Sequence, residues 1–152
     1  MYTLETKQSF DAAHFLHGYK GKCSNIHGHR WKVVARIAAN EICQDIQNRD
    51  MLMDFGDFKK ILKNLTDRVD HTLIIEKGSL KETTLSALRE EDFAITELPF
   101  RPTAERLAQY FFNKLKEQTV PVVEVLVYET PTNCASYREQ HLSDDKLAFI
   151  EE

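Results

Sequence analysis

Residues 23–38, CSNIHGHRWKVVARIA, pass from a polar loop into a run of β-branched and aromatic side chains. The second part, residues 30–38, is typical of a strand. The first part contains the tripeptide His27-Gly28-His29. If this tripeptide enters the strand, its two imidazoles point to the same side, because side chains two residues apart share one face of a strand. The two rings can then bind one metal ion.

A third imidazole precedes this stretch. Residues 2–12 alternate between apolar and polar side chains, which predicts a half-buried strand that ends beside His14. If the two strands pair as a hairpin, His14 lies opposite His27 and His29. Three imidazoles with one open coordination position are typical of a catalytic zinc site. His17, in the loop that follows the first strand, is the alternative third ligand.

Helical spacing begins after this hairpin. From Asp54, apolar side chains recur at steps of three and four up to Val69, which predicts an amphipathic helix with Asp54 as its N-cap. Thr103 is the predicted N-cap of a second helix that continues to Leu115. The remaining predictions are a short strand at 51–53, an insertion with some local helix at 78–100, a strong strand at 122–128, a short last strand at 134–138 and a charged tail at 141–152.

The order of these elements predicts an α+β fold, with a mainly antiparallel, four-stranded sheet and two helices on one face. Such a sheet has two open edges, and oligomerisation is a common way to cover them. The length of 152 residues favours a single domain over residues 1–152.

Composition excludes several classes of protein. Hydrophobic residues make up 42% and charged residues 29% of the chain, which is typical of a globular protein rather than a disordered or collagenous one. The formal net charge of −4 shows no basic excess, so nucleic acid is not an expected partner. The sequence contains no long apolar run, and its first ten residues carry charges, which predicts a cytoplasmic protein that does not enter a membrane. The three cysteines are an odd number and are expected to be free thiols.

Cys23 lies four residues before His27 and has more than one interpretation. Lys20 and Lys22 lie close to it in the sequence, and neighbouring positive charge favours a thiolate, which can act as a base or a nucleophile. Alternatively, Cys23 is the fourth ligand of a closed zinc site, or an inert loop cysteine.

Two further acidic positions are candidates for chemistry. Asp70-His71 follows the first helix, and a carboxylate beside an imidazole can fix the tautomer of the ring. The alternative is a helix C-terminal turn in which His71 meets the helix dipole. Glu129 follows the strand at 122–128, where a carboxylate can accept two hydrogen bonds from an amidine-like ring edge, although most such glutamates are solvated.

Six short motifs, in this order and spacing, resemble the 6-pyruvoyl tetrahydropterin synthase family, and among its branches the bacterial one that makes 6-carboxytetrahydropterin for queuosine biosynthesis. The resemblance covers about residues 2–138. An Ala-His followed by Cys-x-x-x-His-Gly-His is the most specific part of it. The motifs are FDAAH at 10–14, CSNIHGH at 23–29, MDFG at 53–56, VDH at 69–71, PTAE at 102–105 and YET at 128–130.

The resemblance implies a tunnelling fold, in which strands of neighbouring subunits join into a barrel, and a homohexamer built from two trimers with active sites at the subunit interfaces. It also implies that His14, His27 and His29 bind Zn²⁺ and that Cys23 is the proton-transferring thiol. A third branch of the family has glutamate in place of this cysteine, and Cys23 argues against that branch here.

The same resemblance implies roles for further site residues. Asp70 and His71 would be the proton-transfer partners of the thiol, in some accounts from a neighbouring subunit. Glu129 would anchor a pterin ring, with Thr103 and Ala104 near that edge of the ring.

The implied substrate is 7,8-dihydroneopterin triphosphate. The bacterial branch converts it to 6-carboxy-5,6,7,8-tetrahydropterin and releases acetaldehyde and triphosphate, whereas the pyruvoyl branch eliminates triphosphate and rearranges the side chain. An aldolase acting on dihydroneopterin and a non-catalytic zinc-binding module with Cys23 as a fourth ligand are the alternatives. Basic side chains near the metal segment are candidates for binding the triphosphate, namely Lys20, Lys22, Arg30 and Lys32.

Overall fold

The structure, a computed structural model, describes residues 1–139. The predicted tail at 141–152 lies outside the described residues. Within the described residues, six strands, three α-helices and one short 3-10 turn follow one another. The strands are β1 Tyr2–His14, β2 His27–Ala39, β3 Thr72–Glu76, β4 Ile95–Leu98, β5 Val122–Thr130 and β6 Asn133–Tyr137. The helices are α1 Phe55–Asp67, α2 Glu82–Glu90 and α3 Ala104–Glu117, and the 3-10 turn is Lys22–Ser24.

The six strands form one sheet in the order β4-β3-β1-β2-β5-β6. β1 and β2 pair antiparallel along their whole length, and β5 and β6 continue the antiparallel pattern. At the other side of β1, β3 and β4 add to the sheet as parallel strands. The prediction of an α+β fold built on an antiparallel sheet is confirmed. The predicted number of four strands is wrong, because those four are β1, β2, β5 and β6 and the sheet has six.

The sequence did not predict the short strands β3 and β4, and it predicted one short strand that does not form. β3 has five residues and β4 has four, which is too short for an alternating pattern to stand out among charged neighbours. The expected strand at 51–53 does not form. The N–H of Cys43 donates to the carbonyl of Met51 (2.8 Å) and the N–H of Asp50 donates to the carbonyl of Cys43 (3.0 Å). These bonds close a loop over residues 43–51, so the backbone there is bonded within the loop rather than to the sheet.

One face of the sheet carries the main hydrophobic core. Alternate side chains of β1, β2 and β5 point to this face, and α1 and α3 pack over them. At its centre Phe10 stacks on Trp31, with ring centroids 6.0 Å apart, and both rings are almost fully buried. Burial of a large apolar side chain stabilises a fold by roughly 1.5–3 kcal/mol. The prediction that two helices cover one face is confirmed for α1 and α3.

The two predicted helix starts are confirmed by their hydrogen bonds. Asp54 Oδ1 accepts from the backbone N–H of Asp57 (3.1 Å), and Thr103 Oγ1 accepts from that of Arg106 (3.3 Å). Each bond satisfies a donor that the first helical turn leaves without a partner, and such a cap is worth about 1 kcal/mol. The cap at Thr103 starts α3 directly after Pro102, whose carbonyl contacts the end of β1 as described below.

A third helix, α2, lies on the opposite face of the sheet, within the stretch 78–100 for which the sequence predicted some local helix. Neighbouring residues of a strand point to opposite faces. Ile74 of β3 belongs to the main core, whereas Ile75 packs with Leu85 of α2. The stretch at 78–100 thus contains α2 and also β4, a strand that the sequence did not predict. Within residues 1–139, no helix is long and apolar enough to cross a membrane.

A buried carboxylate links strands on the face that α1 and α3 leave uncovered. Glu124 of β5 is 5% exposed. It accepts hydrogen bonds from Arg36 Nη1 of β2 and from Arg138 Nε, just after β6, both at 2.6 Å. Arg36 Nε also donates to Glu5 Oε2 of β1 (2.8 Å). Burial raises the pKa of Glu124, but the two guanidinium groups together outweigh burial and hold the pKa below its usual value.

Replacing Glu124 with glutamine should lower the free energy of unfolding by about 2 kcal/mol at neutral pH, because the amide is uncharged and its single oxygen can accept from only one of the two guanidinium groups. The partial exposure of both arginines keeps the expected loss below that of a fully buried pair. The pKa of Glu124 is lower in the folded state than in the unfolded state. The stabilisation is therefore present above the pKa of the unfolded state and is lost as the pH falls through the pKa of the folded state.

Urea unfolding of the wild type and the variant, at about pH 7 and about pH 3, measures this effect. The difference between the two proteins should shrink at the lower pH. A difference of the same size at both values would show that the charge of Glu124 does not contribute.

Candidate active site

Three histidines converge at the end of the hairpin formed by β1 and β2. His14 is paired with His27 in the strand register, and His29 is paired with Ala12. The Nε2 atoms of His14 and His27 lie 3.1 Å apart. One ring nitrogen from each of the three histidines lies within 4.8 Å of the others. The hairpin geometry predicted from the sequence is therefore found, and the three side chains could hold a metal ion.

Backbone carbonyls fix the outer nitrogens of two of these rings. His14 Nδ1 donates to the carbonyl of Pro102 (2.8 Å), and His27 Nδ1 donates to that of Asn25 (2.7 Å). Since a carbonyl can only accept, the proton of each neutral ring sits on Nδ1 and each Nε2 carries a lone pair. Two lone pairs 3.1 Å apart repel each other unless a cation lies near both. His29 Nε2 is also buried, with no hydrogen-bond partner among the described residues. This donor set fits a metal ion.

Burial favours the neutral, metal-coordinating form of two of the rings, those of His14 and His29. It lowers the pKa of His14, and the hydrogen bond to the Pro102 carbonyl opposes this effect only in part. Burial likewise lowers the pKa of His29 against the opposing charge of Glu129. Glu129 Oε1 lies 3.5 Å from His29 Nε2, a separation at which the two atoms make no hydrogen bond. The neutral imidazole is the metal ligand.

Four of the predicted site residues line one cavity next to the histidines. Cys23, on the 3-10 turn Lys22–Ser24, opens into a cavity of about 320 Å³ together with Thr103, Ala104 and Glu129. Glu129 connects this cavity to the histidine group, because its carboxylate lies beside His29. The capped start of α3 explains the position of Thr103 and Ala104.

Tyr19 and Glu105 also line this cavity, and the sequence analysis assigned neither to the site. Glu105 lies two residues after Thr103, in the first turn of α3, so the sequence could have predicted that it lies near the same cavity. Tyr19 lies in an irregular loop, where no periodicity shows which way a side chain points.

Asp70 and His71 contact each other, as their proposed partnership requires. His71 Nδ1 lies 2.8 Å from Asp70 Oδ2. The backbone of Asp11 in β1 holds both residues, because its N–H donates to Asp70 Oδ1 (2.8 Å) and its carbonyl accepts from the N–H of His71 (2.6 Å). The hydrogen bond from Asp11 lowers the pKa of Asp70 and keeps the carboxylate charged.

His71 and Cys23 line different cavities of the chain. The His71 cavity has a volume of about 710 Å³ and is bordered by apolar side chains that include Leu88 and Phe93. The His71 side chain is 78% exposed. Its φ of 56° lies in the left-handed region, a conformation that costs on the order of 1–3 kcal/mol and is often kept at functional sites.

The four basic candidates for binding the triphosphate fall into two groups. Lys20 and Lys22 are exposed in the loop that precedes β2. Arg30 and Lys32 point to the opposite face of the sheet, the one on which α2 lies. There, Arg30 Nη1 forms an ion pair with Asp11 Oδ2 at 3.0 Å, and Lys32 Nζ lies 4.0 Å from the centre of the Tyr128 ring.

Neither His17 nor Cys23 belongs to the group of side chains that could hold a metal ion. Among the described residues, that group contains only His14, His27 and His29. His17 is exposed, and its carbonyl accepts a hydrogen bond from Arg101 Nη2 (2.5 Å). The geometry therefore favours His14 over His17 as the third ligand and leaves the thiol outside the group.

A sequence profile of the 6-pyruvoyl tetrahydropterin synthase family matches residues 3–140. The chain belongs to this family. A relative from Haemophilus influenzae, named 6-carboxy-5,6,7,8-tetrahydropterin synthase, is 34% identical over 145 residues, which cover 91% of this chain and 100% of the relative. Membership of the 6-pyruvoyl tetrahydropterin synthase family confirms the prediction that the chain is an enzyme of the lyase class.

Solved structures share the architecture of this chain. A protein of uncharacterised function from Wolinella succinogenes has a TM-score of 0.71 at 19% identity, with 91% of this chain and 98% of that chain covered, and it supports the fold alone. The 6-pyruvoyl tetrahydropterin synthase of Caenorhabditis elegans has a TM-score of 0.64 at 28% identity, with 91% of this chain and 96% of that chain covered. The tunnelling fold of the 6-pyruvoyl tetrahydropterin synthase family is therefore confirmed for the architecture of the single chain.

Proposed function

We propose that this protein is a zinc-dependent 6-carboxy-5,6,7,8-tetrahydropterin synthase of queuosine (7-deazaguanine) biosynthesis. It would convert 7,8-dihydroneopterin triphosphate and one water molecule to 6-carboxytetrahydropterin, acetaldehyde and triphosphate. The observation that carries the proposal is the single cavity that Cys23, Thr103, Ala104 and Glu129 share beside the histidine group. The name of the Haemophilus influenzae relative supports this choice of reaction. A cytoplasmic location stays a prediction from the sequence.

His14, His27 and His29 would hold the zinc ion. Three neutral imidazoles and one open position are the donor set of a catalytic zinc site, whereas a closed structural site needs a fourth protein ligand. When bound, zinc supplies Lewis acidity that makes the hydroxyl groups of the substrate side chain more acidic. The two backbone carbonyls that accept from the outer ring nitrogens orient the ligands from behind.

Cys23 is the group that moves protons in this proposal. As a thiolate it takes a proton from one atom of the substrate side chain and returns it to the next. Glu129 holds the ring, since its carboxylate can accept two hydrogen bonds from the amidine-like edge of a pterin. Thr103 and Ala104 lie along the same cavity at the start of α3, where backbone N–H groups of the first helical turn are available to polar groups of the ring.

Asp70 and His71 act in the site of a neighbouring subunit in this proposal. The separate cavities of His71 and Cys23 support this arrangement, as does the high exposure of the His71 ring. Phe93, which borders the His71 cavity, is 62% exposed. An exposed apolar surface of this kind is typical of one that an assembly covers. A second copy that brings its Cys23 loop to this surface would complete the proton-transfer set.

Two strand edges support an assembly built through the sheet. β3 pairs with β1 only at Ala12–His14, so residues 2–10 of β1 have no strand partner on that side within the described part of the chain. β6 is the last strand at the other end of the sheet. Joining β6 of one copy to β1 of the next would cover both edges and close a barrel from the antiparallel strands of several copies. The proposal therefore includes this barrel and a homohexamer of two trimers.

Lys20 and Lys22 are the preferred basic residues for the triphosphate. Both are exposed and lie in the loop that carries Cys23. Arg30 already has a carboxylate partner in Asp11, which leaves it less charge to offer a second anion.

The product of the reaction separates this proposal from its alternatives. The zinc-loaded protein is incubated with 7,8-dihydroneopterin triphosphate, and the products are identified by mass spectrometry. We expect the mass of 6-carboxytetrahydropterin together with acetaldehyde. A pyruvoyl product would contradict the carboxy reaction and assign the triphosphate-eliminating alternative to the same residues. No turnover by the assembled, zinc-loaded protein would favour a non-catalytic zinc-binding module.

A further inference from the structure

Tyr19 is the one aromatic residue that lines the Cys23 cavity among the residues described. It is 48% exposed, so much of its ring has no protein neighbour. The rest of the cavity wall consists of aliphatic, small or polar side chains. An aromatic ring that borders a small-molecule cavity and leaves a face free is suited to contact a flat ligand.

The loop before β2 holds this ring in place. The N–H of Leu16 donates to the carbonyl of Cys23 (2.8 Å), and the N–H of Tyr19 donates to the carbonyl of Leu16 (3.2 Å). These bonds close the loop, so that Tyr19 and Cys23 line the same cavity. Gly21 lies against the ring, since a Cβ at this position would be 2.6 Å from Tyr19 Cε1. The missing side chain at Gly21 allows the ring to pack closely on the backbone.

We propose that Tyr19 is a substrate-contacting residue that stacks on the flat heteroaromatic ring of the substrate. Glu129 can recognise the edge of such a ring, but hydrogen bonds at the edge leave both faces of the ring without a partner. The phenol ring of Tyr19 supplies a partner for one face, and offset stacking of aromatic rings is favourable. The cavity volume of about 320 Å³ is within the range of small-ligand sites. This inference rests on the proposed function, because it takes a pterin as the ligand.

Neopterin is a suitable probe, because it is fluorescent and lacks the triphosphate leaving group. Titrated into the zinc-loaded wild type, it should bind and lose part of its fluorescence on stacking against Tyr19. Tyr19→Ala should weaken binding about tenfold and abolish the quenching. Tyr19→Phe keeps the ring and should keep both properties. Phe55→Ala is the matched control, since Phe55 is 64% exposed at the start of α1 and lies outside this cavity.

The outcomes for the stacking inference and for the proposed function can be told apart. Wild-type affinity and quenching in Tyr19→Ala would overturn the stacking inference and leave the site a pterin site. A wild type that does not bind neopterin would overturn both. Zinc content is measured on the same samples. If Tyr19→Ala loses zinc, Tyr19→Leu replaces it, because leucine fills the space without an aromatic face and should show the same loss of quenching.

Discussion

Cys23→Ala should keep its zinc and lower turnover about a thousandfold, the effect of removing a group that transfers protons in the reaction. The thiol lines the cavity but stands outside the group of three histidines that would hold the ion. Its removal therefore leaves the metal ligands intact. Zinc per chain and the rate of product formation, measured on the same sample, test both parts of the expectation.

Cys43→Ala is the matched control for this variant. Cys43 is a half-buried free thiol in the loop after β2, where its Sγ lies 3.8 Å from the carbonyl oxygen of Leu52. The control should keep both zinc and activity. If Cys23→Ala loses zinc as completely as a histidine variant does, Cys23 is a metal ligand and its proposed role in proton transfer is wrong.

Cys23→Ala also tests whether the active site is shared between subunits. His71→Ala should also be inactive, because it removes the imidazole that the proposal places in a neighbouring subunit's site. When subunits of Cys23→Ala and His71→Ala are mixed and exchanged, some sites combine an intact Cys23 with an intact His71, and activity should return. If no activity returns after subunit exchange has been verified, both groups act within one chain and the shared site is contradicted.

His27→Ala should lose its zinc and, with it, all turnover. The Nε2 atom of His27 faces that of His14 at 3.1 Å, and its removal leaves only two imidazoles of the group. After dialysis against a chelator, the zinc content should fall from about one ion per chain to almost none, since a catalytic zinc site needs about three protein ligands. Metal analysis of the dialysed protein measures this.

His17→Ala is the control that fits this experiment. His17 is an exposed histidine in the neighbouring loop and lies outside the group of three histidines that could hold a metal ion. It should keep its zinc. Retention of zinc by His27→Ala would contradict the proposed metal site, and loss of zinc by His17→Ala would restore His17 as the third ligand.

The histidine group could be predicted because its geometry follows from local rules. Two strands joined as a hairpin bring His14 opposite His27, and the two-residue period of a strand then directs His29 to the same face. The caps at Asp54 and Thr103 were predictable for the same reason, because each bond spans only three residues. Neither inference depended on a contact with a distant part of the chain.

The parts that the sequence did not predict depend on distant contacts. β3 joins the sheet through three residue pairs with β1 (Ala12↔Thr72, Ala13↔Leu73 and His14↔Ile74), and these pairs connect residues far apart in the chain. Nothing in the spacing of residues 72–76 specifies that partner. The contact of Tyr19 with Gly21 likewise follows from how an irregular loop closes, for which no sequence period exists.

The hairpin that carries the histidines also separates metal affinity from folding. Its strands pair residue by residue from Tyr2↔Ala39 to His14↔His27, and Trp31 Nε1 donates to the carbonyl of Ala12 (3.2 Å) near its end. The three imidazoles are therefore held in place by the hairpin, and no part of the chain has to become ordered when an ion binds. In small domains that fold around zinc, by contrast, the binding energy is the folding energy. A chain with a preorganised site keeps its fold when the ion leaves. If the proposed zinc dependence holds, zinc supply would set the fraction of active enzyme while the amount of folded protein stays constant.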